Sequence, residues 1–248
     1  MNTSTKELAS ITSDLCDLGL PTMAKTLQKI YDCPDFINMG RLEIIGKIVS
    51  AQHQEVMQQR FTGRLKRAKL FGYPSSLDEC VNSSERTYQP DEIISTLSSL
   101  KFIHNGYNLC IFGASDSGKT YLAKALGICA CEEFRVSYWH TEDLLGELAS
   151  IRGRDFSQYK KKLRCLTNYG LIILDDFLLH PITSDLEIKA LYDILEYRGE
   201  AHKSCIICSQ RDPESWPGML MQDEVSSNSI LKRVTRDYNV IIKRVIPD

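Results

Sequence analysis

The chain has 248 residues, 43% of them hydrophobic and 25% charged, which fits one or two ordinary globular domains and excludes a disordered tail, a collagen-like fibre or a coiled-coil rod. The formal net charge of −2 averages over unequal segments. The longest aliphatic run, Leu171-Ile172-Ile173-Leu174, is far shorter than the ~20 residues of a membrane span. The N-terminus lacks the apolar stretch of a signal peptide, so a cytoplasmic protein without membrane contact is expected. Nine scattered cysteines point to free thiols in a reducing compartment. Cys205 and Cys208 have the spacing of half a zinc site, but they lie in an apolar run that reads as a buried strand. Residues three apart in a strand face opposite sides, so core thiols are expected.

In chain order, Leu8, Ile11, Leu15 and Leu18 mark a first amphipathic helix, stopped by Gly19 with Pro21 beyond. Met23, Leu27 and Ile30 mark a second, with Pro21 in its first turn. Leu42, Ile45, Val49 and Val56 open a third that extends to about Leu70. Residues 72–90 are rich in turn formers and read as a linker. Beyond them, strands are expected at 108–112, 136–139, 171–174, 205–208 and 240–245. Helices are expected at 119–132, 141–151, 156–167, 184–198 and 226–236. That alternation implies an α/β domain with a central, mainly parallel sheet. The expected division is a helical domain at 1–71, a linker at 72–90 and an α/β domain at 91–248.

Residues Gly113, Ala114, Ser115, Asp116, Ser117, Gly118, Lys119 and Thr120 match G-x-x-x-x-G-K-[ST] between a predicted strand and a predicted helix. Such a loop turns backbone N–H groups around phosphates, and the following helix presents its positive end to them. Lys119 is expected on the β- and γ-phosphates and the Thr120 hydroxyl on Mg²⁺, with Tyr121 continuing the cradle. Asp116 is unusual, because a carboxylate in a phosphate cradle repels the ligand. The run 171–174 ends in Asp175-Asp176, at the strand end where open α/β sheets bind ligands. Asp175 is expected to hold Mg²⁺ through water, and Asp176 to orient or activate an attacking water. Gln210 closes the next strand as a candidate sensor. Arg233 reads either as a solvated helix residue or as an arginine finger for a neighbouring subunit.

Two basic clusters stand out. Arg60, Arg64 and Arg67 fall at i, i+4 and i+7, with Lys66 and Lys69 beside them. Lys160, Lys161 and Lys162 sit with Arg152, Arg154 and Arg164 in thirteen residues. Either is a solvated face or a row of cations for phosphates, with no base-reading chemistry.

Together these residues resemble the IstB-like transposition helpers within the IstB/DnaC group of AAA+ ATPases. The resemblance runs through 64–69, 118–126, Leu174-Asp175-Asp176-Phe177, 195–198, 208–216 and 229–233. It implies a nucleotide site of Lys119, Thr120, Asp175 and Asp176, with Gln210 as sensor and Arg233 as finger. It also implies ATP and Mg²⁺ as cofactors, N-terminal helices on double-stranded DNA, an ATP-dependent homo-oligomer and a transposase partner. Asp116 stands where the group usually has glycine, and Lys232 where it has an acidic residue, so slow hydrolysis is expected. A DnaC-type helicase loader is the alternative. A small-molecule kinase predicts a lid and an acceptor pocket that the sequence does not show. A non-hydrolysing ATP switch is compatible with Asp116.

Overall fold

The computed structural model describes residues 3–220, 228 and 232–245. The chain divides into two compact units, residues 1–63 and 64–248.

The first unit is helical. Helices α1 (Thr3–Asp17) and α2 (Pro21–Tyr31) pack on each other, and a 3-10 turn (Pro34–Asn38) leads to α3 (Arg41–Arg67), which crosses the unit's boundary. Gly19 at φ 75° allows the tight reversal between the first two helices. Leu8, Ala24, Ile30 and Ile48 are buried, whereas Leu18 and Leu42 are 74% and 85% exposed. The apolar periodicity therefore marks the helices correctly but overstates the core they share.

The second unit is a six-stranded sheet flanked by helices. Its strands are β1 (Arg86–Gln89), β2 (Leu109–Phe112), β3 (Val136–His140), β4 (Leu171–Asp175), β5 (Ser204–Ser209) and β6 (Tyr238–Arg244). The order across the sheet is β1-β6-β2-β5-β4-β3. All neighbours are parallel except β1, which pairs antiparallel with β6. Strands β2, β4 and β5 are buried on both faces, as their unbroken aliphatic runs require. The helices are α4 (Ile93–Ser98), α5 (Lys101–His104), α6 (Lys119–Ala130), α7 (Thr141–Arg154), α8 (Phe156–Thr167) and α9 (Asp185–Glu200). The segment 72–90, expected as a linker, instead carries a 3-10 turn (Leu77–Glu79) and edge strand β1. Alternating Thr87 and Tyr88 are compatible with a strand, but four residues among turn formers are too short to register as periodicity. Of the helix expected at 226–236, residues 228 and 232–235 are helical, and the others lie outside the described residues.

The nine cysteines are free, and Cys205 and Cys208 are buried in β5. No helix among the described residues is long and apolar enough to cross a membrane.

Candidate functional site

The loop 113–118 joins β2 to α6. Gly113 is required by close approach, because a Cβ there would lie 2.5 Å from the Ile242 carbonyl and from Ser117 Oγ. Gly118 caps α6 at φ 102°, a conformation glycine adopts without strain. Asp116 also has positive φ, 60°, and its carboxylate reaches Arg244 Nη1 of β6 at 3.3 Å. The helix that follows exposes its first N–H groups to the loop. A cavity of about 600 Å³ opens over this helix start, bounded by Ser115 and Asp116 of the loop, by Lys119 and Thr120 of α6, and by Asp176 and Gln210 just beyond the ends of β4 and β5. Tyr121 also lines it. Its hydroxyl accepts from the Ser76 N–H at 3.1 Å and pairs with Glu79, tying the segment before β1 to α6. Gly113 and Ala114 face an adjoining cavity shared with Gln210. The Ser117 hydroxyl is buried and has no partner.

Lys119 folds back over the loop, its Nζ donating to the Ala114 carbonyl at 2.7 Å. Burial holds its pKa below the usual lysine range, and the nearby Cys208, Asp175 and Asp176 oppose that shift. Asp175, at the end of β4, is buried and accepts a 2.6 Å hydrogen bond from the Tyr138 hydroxyl of β3. Burial and this bond push the Tyr138 phenol far above its ordinary pKa. Asp176 turns out of the strand at φ 53° towards the cavity, and its Oδ2 lies 3.3 Å from His140 Nδ1. His140, Asp175 and Asp176 bring their ligand atoms within 4.8 Å of one another. The carboxylate oxygens suit a hard divalent cation such as Mg²⁺, and the imidazole suits it less. Neither His140 nor Tyr138 carried a motif. They are found only because β3 pairs in register with β4, His140 opposite Asp175.

The sheet order explains how the site assembles. β5 inserts between β2 and β4, so Gln210 emerges between the loop and the aspartate pair. This is the position beyond the carboxyl ends of the strands where open α/β sheets bind ligands.

Arg233 lies elsewhere. Its backbone carbonyl accepts from the Asn108 amide at 3.0 Å, which fixes it by the start of β2, the end opposite the loop. Four strand residues, about 13 Å at 3.3 Å each, separate those ends. Its guanidinium is exposed, 3.6 Å from Glu196 Oε1 in a separate cavity. The structure therefore does not bring Arg233 to the loop of its own chain.

The basic candidates divide similarly. Arg60 is exposed in the first unit, and Lys66, Arg67 and Lys161 are exposed in the second. Lys66 lies 5.1 Å from the centre of the Phe71 ring. Arg64 is half-buried and donates to the Cys131 carbonyl at 3.1 Å and to the Glu132 carbonyl, where it caps the end of α6. Lys69 lies over the Trp139 ring at 4.3 Å. Lys160 donates to the Tyr197 hydroxyl at 2.5 Å, and Lys162 pairs with Glu147 at 2.7 Å. Arg152 likewise pairs with Asp193 at 2.8 Å. Half of this second cluster is thus spent holding α7, α8 and α9 together, a use that charge spacing alone does not reveal.

Residues 13–244 match the model of the family described as IstB-like ATP binding protein. The chain is 26% identical over 234 residues to an ATP-binding protein of insertion sequence IS232 of Bacillus thuringiensis subsp. berliner, covering 93% of this chain and 90% of that one. It is 29% identical over 201 residues to an ATP-binding protein of insertion sequence IS1162 of Pseudomonas fluorescens, covering 80% and 84%. Among solved structures, AMPPCP-bound DnaA from Aquifex aeolicus matches with TM-score 0.55 and 20% identity, over 70% of this chain and 51% of that one. DnaI matches with TM-score 0.54 and 21% identity, over 68% and 92%. These likenesses show the fold of AAA+ ATPases. With a phosphate-binding loop, an aspartate pair and a family match over nearly its whole length, the chain belongs to the IstB-like ATP binding proteins and is an AAA+ ATPase of the IstB/DnaC group.

Proposed function

We propose that this protein assembles on double-stranded DNA in an ATP-dependent manner and there recruits or stimulates the transposase of an insertion sequence. The observation that carries the ATP-dependent part is the convergence of Lys119, Thr120, Asp176 and Gln210 on one cavity at the start of α6. In that cavity the α6 N–H groups and Lys119 bind the phosphates, and Thr120 and Asp175 are the residues that would hold Mg²⁺. When bound, such an ion would supply positive charge against the phosphates. Asp176, steered by His140, orients the attacking water and receives its proton, and Gln210 reads the terminal phosphate. Arg233 completes the site of a neighbouring subunit, which its place at the far end of the sheet requires of any catalytic role. The insertion-sequence relatives support the transposition setting, and the exposed cations Arg60, Lys66, Arg67 and Lys161 supply backbone contacts to DNA without base selectivity.

Asp176→Asn tests the chemistry. ATP binding is expected to survive and turnover to fall by about 10²-fold or more, the usual contribution of a positioned base. Wild-type turnover in that variant would remove Asp176 from the reaction. A DnaC-type helicase loader remains the second reading, supported by the fold likeness to DnaI. It predicts a grip on a helicase and no stable complex on bare duplex.

A further inference from the structure

The nucleotide cavity contains a cation that no loop motif announces. Arg86, the first residue of β1, lies opposite Arg244 of β6 in the antiparallel register. Its guanidinium rests against the start of α6: a Cβ on Gly118 would stand 2.8 Å from Arg86 Cζ and 2.9 Å from its Nη1. The side chain lines the same cavity as Lys119 and Thr120. Its Nε is buried without a hydrogen-bond partner. No carboxylate among the described residues forms an ion pair with it, and Asp116, the acidic residue of the loop, is engaged by Arg244. The titratable side chains that feel its charge are Tyr88 and Cys80, both neutral at physiological pH.

This placement is unfavourable for an empty protein. A guanidinium beside the positive end of a helix, in one cavity with a lysine, meets like charge from two sides. The Tyr88 hydroxyl is within hydrogen-bond reach of the guanidinium, but the buried Nε–H loses hydration that no protein partner replaces. The arrangement becomes favourable once an anion occupies the cavity, because a planar guanidinium makes two parallel, charge-assisted hydrogen bonds to a phosphate. We propose that Arg86 is a phosphate-binding residue of the nucleotide site, delivered from edge strand β1 of the same chain. Arg244 plays the complementary part, since by engaging Asp116 it keeps that carboxylate from cancelling the positive potential. The inference rests on the nucleotide reading of the cavity and adds a residue to it.

The test uses the full chain as wild type, Arg86→Gln, Arg86→Lys and Lys119→Ala. Each is titrated with ATP and with ADP in the presence of Mg²⁺ by calorimetry and followed by thermal unfolding. Arg86→Gln is expected to weaken both nucleotides roughly 10- to 100-fold, the range for a hydrogen bond to a charged group. Arg86→Lys is expected to recover part of that loss. Without nucleotide, Arg86→Gln is expected to unfold at the wild-type temperature or above it, since an uncompensated cation has been removed. Equal affinities in wild type and Arg86→Gln, with Lys119→Ala unable to bind, would overturn the role of Arg86 and leave the nucleotide site standing. Tighter binding by Arg86→Gln would also overturn it and make Arg86 an obstruction. A lower unfolding temperature without nucleotide, with loss of binding that lysine does not restore, would make Arg86 structural. Failure of the wild type itself to bind ATP would overturn the nucleotide reading and this inference together.

Discussion

At Asp116 the phosphate-binding loop carries a carboxylate on a left-handed backbone, φ 60°. Both features work against the loop: the backbone strain costs about 1 kcal/mol relative to glycine, and the charge opposes phosphate. The side chain is 86% exposed and its pair with Arg244 is on the surface, so the electrostatic penalty is screened by solvent. Asp116→Gly is therefore expected to tighten ATP about three- to tenfold, read by calorimetry at low and at high salt, with the gain shrinking as salt rises. An affinity identical at both salt concentrations to that of the wild type would show that the carboxylate plays no part. Tyr138 has the opposite character. It donates to Oδ2 of the buried Asp175, and Tyr138→Phe would remove that donor while the Asp176 N–H still reaches Oδ1 at 3.1 Å. About 1–3 kcal/mol of stability is expected to be lost, measured by denaturant unfolding without nucleotide, and part of it regained when Mg²⁺-ATP is added. Lys119→Ala is expected to lose ATP binding altogether; a variant that still bound ATP with wild-type affinity would exclude Lys119 from the phosphates.

Among the elements, α3 and α8 show how charge spacing can mislead. Arg64 shares a helical stripe with Arg60 and Arg67, yet it caps α6 through the carbonyls of Cys131 and Glu132. Arg64→Ala should cost about 1 kcal/mol of stability, since the group is partly exposed. Arg67→Ala should leave stability unchanged and reduce the salt slope of DNA binding by about one. The same slope in Arg67→Ala and wild type would take Arg67 off the DNA. Lys160 and Lys162 have partners in Tyr197 and Glu147, so Lys161 is the residue of that trio with which to test a DNA contact. The phosphate loop, the aspartate pair and the strands β2 to β6 were legible because each is a local pattern: a glycine spacing, an aliphatic run, a carboxylate at a strand end. What was not legible depends on pairing between distant segments. Edge strand β1 is four residues long and is defined by its register with β6, so Arg86 passed for a linker residue. His140 joined the site only through the pairing of β3 with β4.

At the scale of the whole molecule, the proposed role of Arg233 calls for a second subunit, because Arg233 stands at the end of β2 remote from the loop of its own chain. Hydrolysis is thus expected to need a second subunit. Arg233→Ala should bind ATP but turn it over at least about 10³-fold more slowly, in the range measured for arginine fingers. Mixed with Asp176→Asn, which is inactive for a different reason, it should recover part of the activity, since mixed assemblies pair an intact Asp176 with an intact Arg233. No recovery in mixtures that form normal oligomers would place Arg233 outside the site. The most direct measurement is sedimentation of the purified wild-type protein with a duplex of arbitrary sequence, with and without ATP and Mg²⁺. The account predicts large complexes on the duplex that require ATP and are absent with Lys119→Ala. Nucleotide binding with no sedimenting DNA complex at any ATP concentration would contradict it.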